Sequence, residues 1–406
     1  MEPAGVVTGD RHDRIRNHII KSPRQRRRAT LSVPLPDLFL SLALLAVVAV
    51  PLWTAELTGW FSAPLALPGY FWHQHELVFA FLNAGIAGFL LTAVCVWTGT
   101  ERLHGLPLMG LWLVWLAGRL VMGFGAELPA WVVMAVNLAF LPLVMVDAGW
   151  RIWHGRQKRQ LVLLLVIGLV WLMQLGFFLQ PHGPYVHGAL IVAAALMLVI
   201  GGRITPNFSK AWLRQQGLPG RGPHTVPWLE ITLLIAMAMT LVGVLTGLQA
   251  VIVIAAGLAA PLSLARTLLW RGWEVRGEPL LWMLHLSLLW IPLGLALLAG
   301  SAAGWWPATA WIHALGVGAM GGLILGVISR VALGHTGRTL KLPAGMTAAF
   351  VVIHIAALAR VATGLGDLPW QAGIGIAGTL WTVAFGLFLV RYTGILAGPR
   401  ADGAPG

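Results

Sequence analysis

Residues 37–57 read DLFLSLALLAVVAVPLWTAEL, an apolar run whose only charges, Asp37 and Glu56, stand at its two ends. A helix needs about 20 consecutive apolar residues to cross a hydrocarbon layer of roughly 30 Å. The run is too long for the core of a signal peptide, and no clear small-residue cleavage site follows it. It comes after a basic stretch from Arg11 to Arg28. It therefore reads as the first of a set of membrane spans, entered from a basic tail. The whole chain agrees. Of its 406 residues, 58% are hydrophobic and only 10% are charged, against about 25% charged in a soluble domain. Such a chain cannot cover a water-facing surface, and it is too apolar to be disordered. In lipid, helices or closed barrels alone satisfy the backbone, and the run lengths favour helices.

Eleven more runs of this kind follow, near 73–97, 106–125, 129–149, 160–180, 185–202, 228–247, 250–270, 279–299, 307–329, 344–364 and 369–392. The expected fold is all-α: an integral membrane bundle of about twelve transmembrane helices. Residues 1–36 are expected to form a basic, disordered cytoplasmic tail, 37–393 one membrane domain, and 394–406 a short cytoplasmic tail. The connection over 203–227 is the longest. Its Gly217, Pro219, Gly220 and Pro223 read as irregular chain.

The connections fix a direction. Of the 27 Lys and Arg residues, all but Arg119 and Arg360 fall in the two tails, in the connections after spans two, four, six, eight and ten, or, for Arg266 and Arg391, at the same-side ends of spans eight and twelve. The positive-inside rule then puts both termini in the cytoplasm. The net charge of +13 is thus spent on orientation and on contact with anionic lipid, not on nucleic acid. The lone Cys95 excludes an intrachain disulfide, a CxxC zinc site and haem attachment through CxxCH.

The 13 histidines nearly equal the 14 acidic residues, which is unusual in a chain so poor in charge. Trp72-His73-Gln74-His75-Glu76 opens span two on the outer side; His187 opens span six, with His182 in the loop before it; His313 lies shortly inside span ten. Arg119 and Arg360 sit near the outer ends of spans three and eleven. Toward the other face lie His285 and His335, with His354 near the middle of span eleven. Ionisable groups inside a membrane usually face the bundle interior, and neutral imidazole is a common ligand of copper, zinc and haem iron. His73 and His75, two residues apart, do not share one face of a regular helix. They meet at one metal only if the helix starts irregularly, and otherwise serve different partners, with Glu76 as an acceptor for one ring. A lone His354 reads as an interhelical hydrogen-bonding residue. Gly316, Gly318, Gly321, Gly322 and Gly326 crowd span ten; small residues at this spacing favour close helix packing, and they also leave room for a flat macrocycle. Met320 stands seven residues after His313, on the same face of a helix.

Four segments together resemble the NnrS family. They are Trp72–Glu76, Gly201-Gly202-Arg203-Ile204-Thr205-Pro206-Asn207-Phe208, Leu280–Leu286 with its His285, and His313-Ala314-Leu315 running on to Ser329-Arg330-Val331-Ala332-Leu333-Gly334-His335-Thr336-Gly337-Arg338. The resemblance implies a twelve-span protein of the bacterial inner membrane that carries non-covalent b-type haem and copper. It also implies a role in nitric oxide metabolism or protection from nitrosative stress, with redox activity on nitric oxide as a possible reaction. On this basis His73, His75 and His313 are expected at an outer metal centre and His285 and His335 at a second, inner one. Arg119, Arg203, Arg330, Arg338 and Arg360 are expected to neutralise haem propionates, carboxylates suited to bidentate donors. Members often carry Gly-Phe-Arg-Pro-Phe-Phe entering the first span. Here Leu35-Pro36-Asp37-Leu38-Phe39-Leu40 has no arginine, so no role of that arginine carries over. The expected partners are the lipid bilayer, nitric oxide and an electron donor for which the sequence offers no docking domain.

Two other classes compete. A twelve-span secondary transporter for a metal or small solute would use midplane carboxylates and broken helices, whereas Asp37, Glu56, Glu76, Asp147 and Glu230 all lie near span ends. A purely structural assembly factor is the third reading.

Overall fold

Each apolar run folds as a helix because no backbone partner outside its own turn is available in lipid. The computed structural model describes residues 34–403. The predicted disordered tail lies outside the described residues as far as residue 33, and residues 34–36 already belong to the first helix. Among the described residues, twelve helices are long and apolar enough to cross a membrane. In chain order they are α1 Pro34–Leu57, α2 Gly69–Thr98, α3 Gly105–Phe124, α4 Ala130–His154, α5 Lys158–Leu179, α6 Tyr185–Gln215, α7 Pro227–Thr246, α8 Gln249–Leu269, α9 Pro279–Ala302, α10 Ala308–His335, α11 Met346–Leu365 and α12 Trp370–Ala397. Among the described residues there is no strand.

Two boundaries differ from expectation. The helix of α6 does not stop near residue 202; it runs through Pro206 to Gln215, so about half of the predicted irregular connection is helical. The sequence from Ser209 to Gln215, SKAWLRQ, holds good helix formers on both sides of the apolar Trp212 and Leu213. Leu213 is fully buried with Val275 and Leu281, which anchors the extension. At the other end, α12 continues to Ala397, and the chain after it folds back: Arg400 donates to the His335 carbonyl at 2.8 Å and the Ala401 N–H to Thr336 O at 2.8 Å. The C-terminal segment and the connection after α10 therefore share one end of the bundle.

The helices divide into a centre and a flank. α2 is the most buried, with 78% of its apolar window inside the protein, whereas α3 buries 28%. α6, α9 and α10 are also largely buried; α6 touches α2, α9 and α10, and α10 also packs on α11 and α12. α12 closes the ring by packing along both α11 and α1. Large apolar side chains such as Val146, Ile254, Leu358 and Val390 point outward, as a lipid-facing surface requires. Exposed tryptophans mark both ends, Trp60, Trp131 and Trp305 at one and Trp153, Trp228 and Trp273 at the other, the belt expected of interfacial rings.

Two central helices are interrupted by π turns, over His75–Ala80 in α2 and Ala314–Gly321 in α10. Their bonds span five residues, Phe81 N–H to Glu76 O and Gly322 N–H to Val317 O. Such turns are rare and concentrate at functional sites. Each directly follows a histidine segment of the sequence analysis.

The glycines of α10 split by role. A Cβ on Gly318 would meet the Trp290 ring at 2.3 Å, one on Gly321 would meet Trp381 at 2.5 Å, and one on Gly326 would meet Met283 at 2.9 Å. These three let bulky neighbours sit on the helix backbone. Gly316 differs: its nearest neighbour would be Leu190 at 4.0 Å. Gly318→Ala is expected to destabilise the protein by about 1–3 kcal/mol through overpacking, whereas Gly316→Ala leaves it unchanged. Thermal unfolding of the two purified variants in one detergent checks the contrast.

Candidate functional site: a histidine-lined cavity

A cavity of about 220 Å³ lies among α1, α2, α6, α10, α11 and α12. Most of its wall is apolar or aromatic, with Trp53, Trp370 and Trp381 prominent. Three ionisable side chains converge on it: His73, His313 and Arg360. Arg360 and the two imidazoles are close enough to act on one another electrostatically.

Each of the three has unused bonding capacity. His313 directs Nδ1–H to the Thr309 carbonyl at 2.7 Å, one turn back on its own helix. That fixes the tautomer and leaves Nε2 with a free lone pair, the arrangement used by metal-bound histidines. His73 stacks on Trp53, with ring centroids 3.9 Å apart at 22°, and its buried Nδ1 has no hydrogen-bond partner. Arg360 lies over the Trp370 ring at 4.9 Å, and its Nη1 is buried without a partner. Orphaned buried polar groups are costly and uncommon, so two of them, on His73 and Arg360, beside the free Nε2 of His313 mark a place built for something polar. Met320 and Gln74 also line it, and Gly316 keeps the α10 wall open.

His75 takes the opposite direction, although it is only two residues from His73. Gln174 on α5 donates Nε2–H to His75 Nε2 at 3.0 Å, and His75 Nδ1–H donates to Glu76 Oε1 at 2.9 Å. The other carboxylate oxygen of Glu76 pairs with Arg119 Nε on α3 at 2.8 Å. Arg119 donates to Asn137 Oδ1 on α4 at 2.5 Å, and Asn83 donates to Gln174 Oε1 at 3.2 Å. This buried chain ties α2 to α3, α4 and α5. Both nitrogens of His75 are occupied, so the structure brings His73 and His313 together and directs His75 away. The irregular turn contemplated from the sequence exists, yet the two histidines of α2 serve different partners. Arg119 is committed to Glu76, not to the cavity.

The second expected centre is dispersed. His285 on α9 meets Ser209 Oγ at 2.9 Å and packs on Gly272 and Trp270; its Nδ1 is buried without a partner. His335 ends α10 beside Arg102 and Arg400. The two lie in different surroundings. His354 accepts from the Trp290 indole at 3.0 Å, an interhelical bond of the kind expected of it. His187 packs on Trp311, and His182 on Phe71.

The other expected arginines are also engaged. Arg203 is exposed and donates to Gln160 at 2.9 Å; Arg330 lies over Phe208 at 4.1 Å; Arg338 donates to the Ile395 carbonyl at 3.3 Å. The buried partner of the Gly201-Gly202 segment is Arg266, which sequence reasoning missed. Its Nη2 donates to Leu198 O at 2.8 Å and pairs with Glu230 at 2.7 Å. A Cβ on Gly202 would fall 2.0 Å from that nitrogen, so this glycine makes room for the guanidinium. Trp53, Gln74 and Trp370 were also missed, because in a chain with 21 tryptophans the lining ones carry no separate signal.

Among the described residues no three His, Cys, Asp or Glu side chains gather as a metal cage. The cavity instead offers two imidazoles and one guanidinium against aromatic walls. This suits a group that brings most of its own coordination.

The structure thus defines a twelve-span helical membrane protein with a buried, histidine-lined cavity. The family described as NnrS protein matches residues 31–400, nearly the whole chain, and the protein belongs to that family. No curated protein matches the chain.

Breaking the Glu76–Arg119 pair from one side leaves a buried charge uncompensated, a change worth about 3–5 kcal/mol. Glu76→Gln and Arg119→Met are each expected to destabilise by that order. The double variant is expected to recover a large part of the loss, and a double-mutant cycle of unfolding midpoints checks it.

Proposed function

We propose that the cavity holds a haem- or copper-containing centre through His73 and His313, with Arg360 facing the acidic edge of the bound group, and that the protein acts on or binds nitric oxide. The observation that carries this reading is the convergence of three under-bonded polar side chains on one apolar cavity. The residues fit such a group. His313 presents an acceptor nitrogen with its other N–H anchored, His73 is held by its stack on Trp53, and Arg360 is the cavity's cation for a propionate. Aromatic walls suit a macrocycle face, and Met320 offers a soft sulfur to copper. When bound, haem iron or copper with an open position supplies binding and one-electron chemistry for a diatomic gas. The protein's own part is to hold His313 in a fixed tautomer and the His73 ring in place by its stack on Trp53, to neutralise carboxylates, and to keep water away with tryptophan and aliphatic side chains. The family resemblance supplies the choice of haem, copper and nitric oxide.

We also infer the setting. The even number of spans and the placement of basic residues favour the inner membrane of a bacterium with both termini in the cytoplasm. His73, His313 and Arg360 then lie in the outer half of the membrane.

Protein purified in mild detergent after expression with ample haem and copper is expected to show a reduced-minus-oxidised visible spectrum and bound metal. A colourless, metal-free protein overturns the reading. His73→Ala and His313→Ala are each expected to remove most of the Soret intensity or bound copper. His335→Ala is expected to retain it, because that ring lies outside the cavity. For orientation, a cysteine placed at Gly304 is expected to react with a membrane-impermeant thiol reagent in intact cells and one at Gly220 only after lysis. The native Cys95 is buried and gives little background.

A further inference from the structure

A second cavity of about 80 Å³ lies among α1, α2, α5, α6 and α10. All of its lining side chains are apolar or glycine, including Phe39, Leu82, Leu163, Met197 and Leu323. Phe89, Ile200, Ile324 and Val327 of its lining are partly exposed. A cavity with no polar partner does not hold water stably. Its size selects what does enter. An apolar cavity of about 150 Å³ in another protein takes benzene or xenon; this smaller one suits a diatomic molecule or a noble-gas atom and excludes a lipid acyl chain.

Its position is the second observation. The faces that line it continue those lining the histidine cavity. On α2, Val78 belongs to the histidine cavity and Leu82 to the apolar one; on α10, Met320 belongs to the first and Leu323 and Ile324 to the second; on α6, Leu190 belongs to the first and Met197 to the second. On α6 a separation of seven residues keeps one helix face, and on α2 and α10 the two linings follow each other within three or four residues of the same helix. One turn of side chains on α2 and α10, and two on α6, stand between the two spaces. Met320, an unbranched and adaptable side chain, is part of that partition.

We propose that the apolar cavity is a holding site for an uncharged, diatomic-sized ligand drawn from the lipid, one to two helical turns from the histidine cavity. Apolar gases partition into hydrocarbon, so a dry apolar pocket inside the bundle concentrates such a ligand beside the site where it would be used. That use rests on the function proposed above, whereas occupancy of the pocket does not.

The test uses dissolved oxygen as a paramagnetic, apolar diatomic probe. The full chain, free of metal, is placed in lipid nanodiscs with labelled methionine methyl groups. Met197 lines the pocket, whereas Met122 is fully buried elsewhere. Oxygen is expected to raise the relaxation rate of the Met197 methyl several-fold more than that of Met122, as for a cavity that admits apolar gas. A water-soluble gadolinium chelate is expected to leave both unchanged. Gly85→Leu fills the pocket from α2 and Leu163→Phe from α5, and each is expected to abolish the Met197 effect. Two wall variants are used so that poor folding of one leaves the other informative. Equal oxygen effects at Met197 and Met122 overturn the proposal. So does an effect that survives both substitutions, or a Met197 methyl in contact with lipid chains and insensitive to oxygen. Because the protein is metal-free, these outcomes are independent of whether it binds haem or copper.

Discussion

The ion pair between Glu76 and Arg119 sets the geometry of the site. A carboxylate that is 1% exposed in the middle of an apolar bundle demands a cation and further donors. Arg119 reaches it from α3 and His75 from the adjacent position on α2. The remaining valences pass to Gln174, Asn83 and Asn137. With His75 drawn to this side, the same helix presents His73 to the other, where the cavity lies. One helix start therefore serves two purposes: a polar brace toward α3, α4 and α5, and a ligand surface toward α10, α11 and α12.

The cavity exists because neighbouring helices are held apart there and held close elsewhere. Gly318, Gly321 and Gly326 let Trp290, Trp381 and Met283 lie against the α10 backbone, so this stretch is tightly packed on two sides. Gly316, on the remaining side, meets almost nothing. The π turns that follow His73 and His313 change the helical phase between the histidine and the packed stretch beyond it. Packing and opening are thus separated within a few residues of one helix. The two readings of the glycine cluster, close packing and room for a flat group, both have a place, on different faces.

Much of the architecture was legible in the sequence. Twelve apolar runs gave twelve helices, because span length is fixed by hydrocarbon thickness and not by tertiary contacts. The connection over 203–227 was misread in part: Gly217, Pro219, Gly220 and Pro223 suggested irregular chain, but helix propensity and the burial of Leu213 carry α6 to Gln215. Of the site, His73, His313 and Arg360 were found as intramembrane ionisable residues. What distinguished them from His75 and Arg119 was not type or depth but bonding. Arg203, Arg330 and Arg338 stand with Arg360 in the expected set because they fall in the segments that resemble the family, yet each has a neighbour of its own on the basic side.

The sequence by itself determined the solvent of this protein, the number of its crossings and which residues were too costly to bury without reason. These follow from composition and run length, which are additive along the chain. Only the tertiary structure decided which costly residues satisfy one another. Glu76, Arg119, His75, Gln174 and Asn137 come from four spans, and no periodicity within one span shows that their valences close. The same holds for His73, His313 and Arg360, which stand 240 and 47 residues apart along the chain and share one cavity with bonds to spare. Hydrogen-bond satisfaction is a property of meeting faces, so the ligand site became visible only as what the packed bundle left unsatisfied.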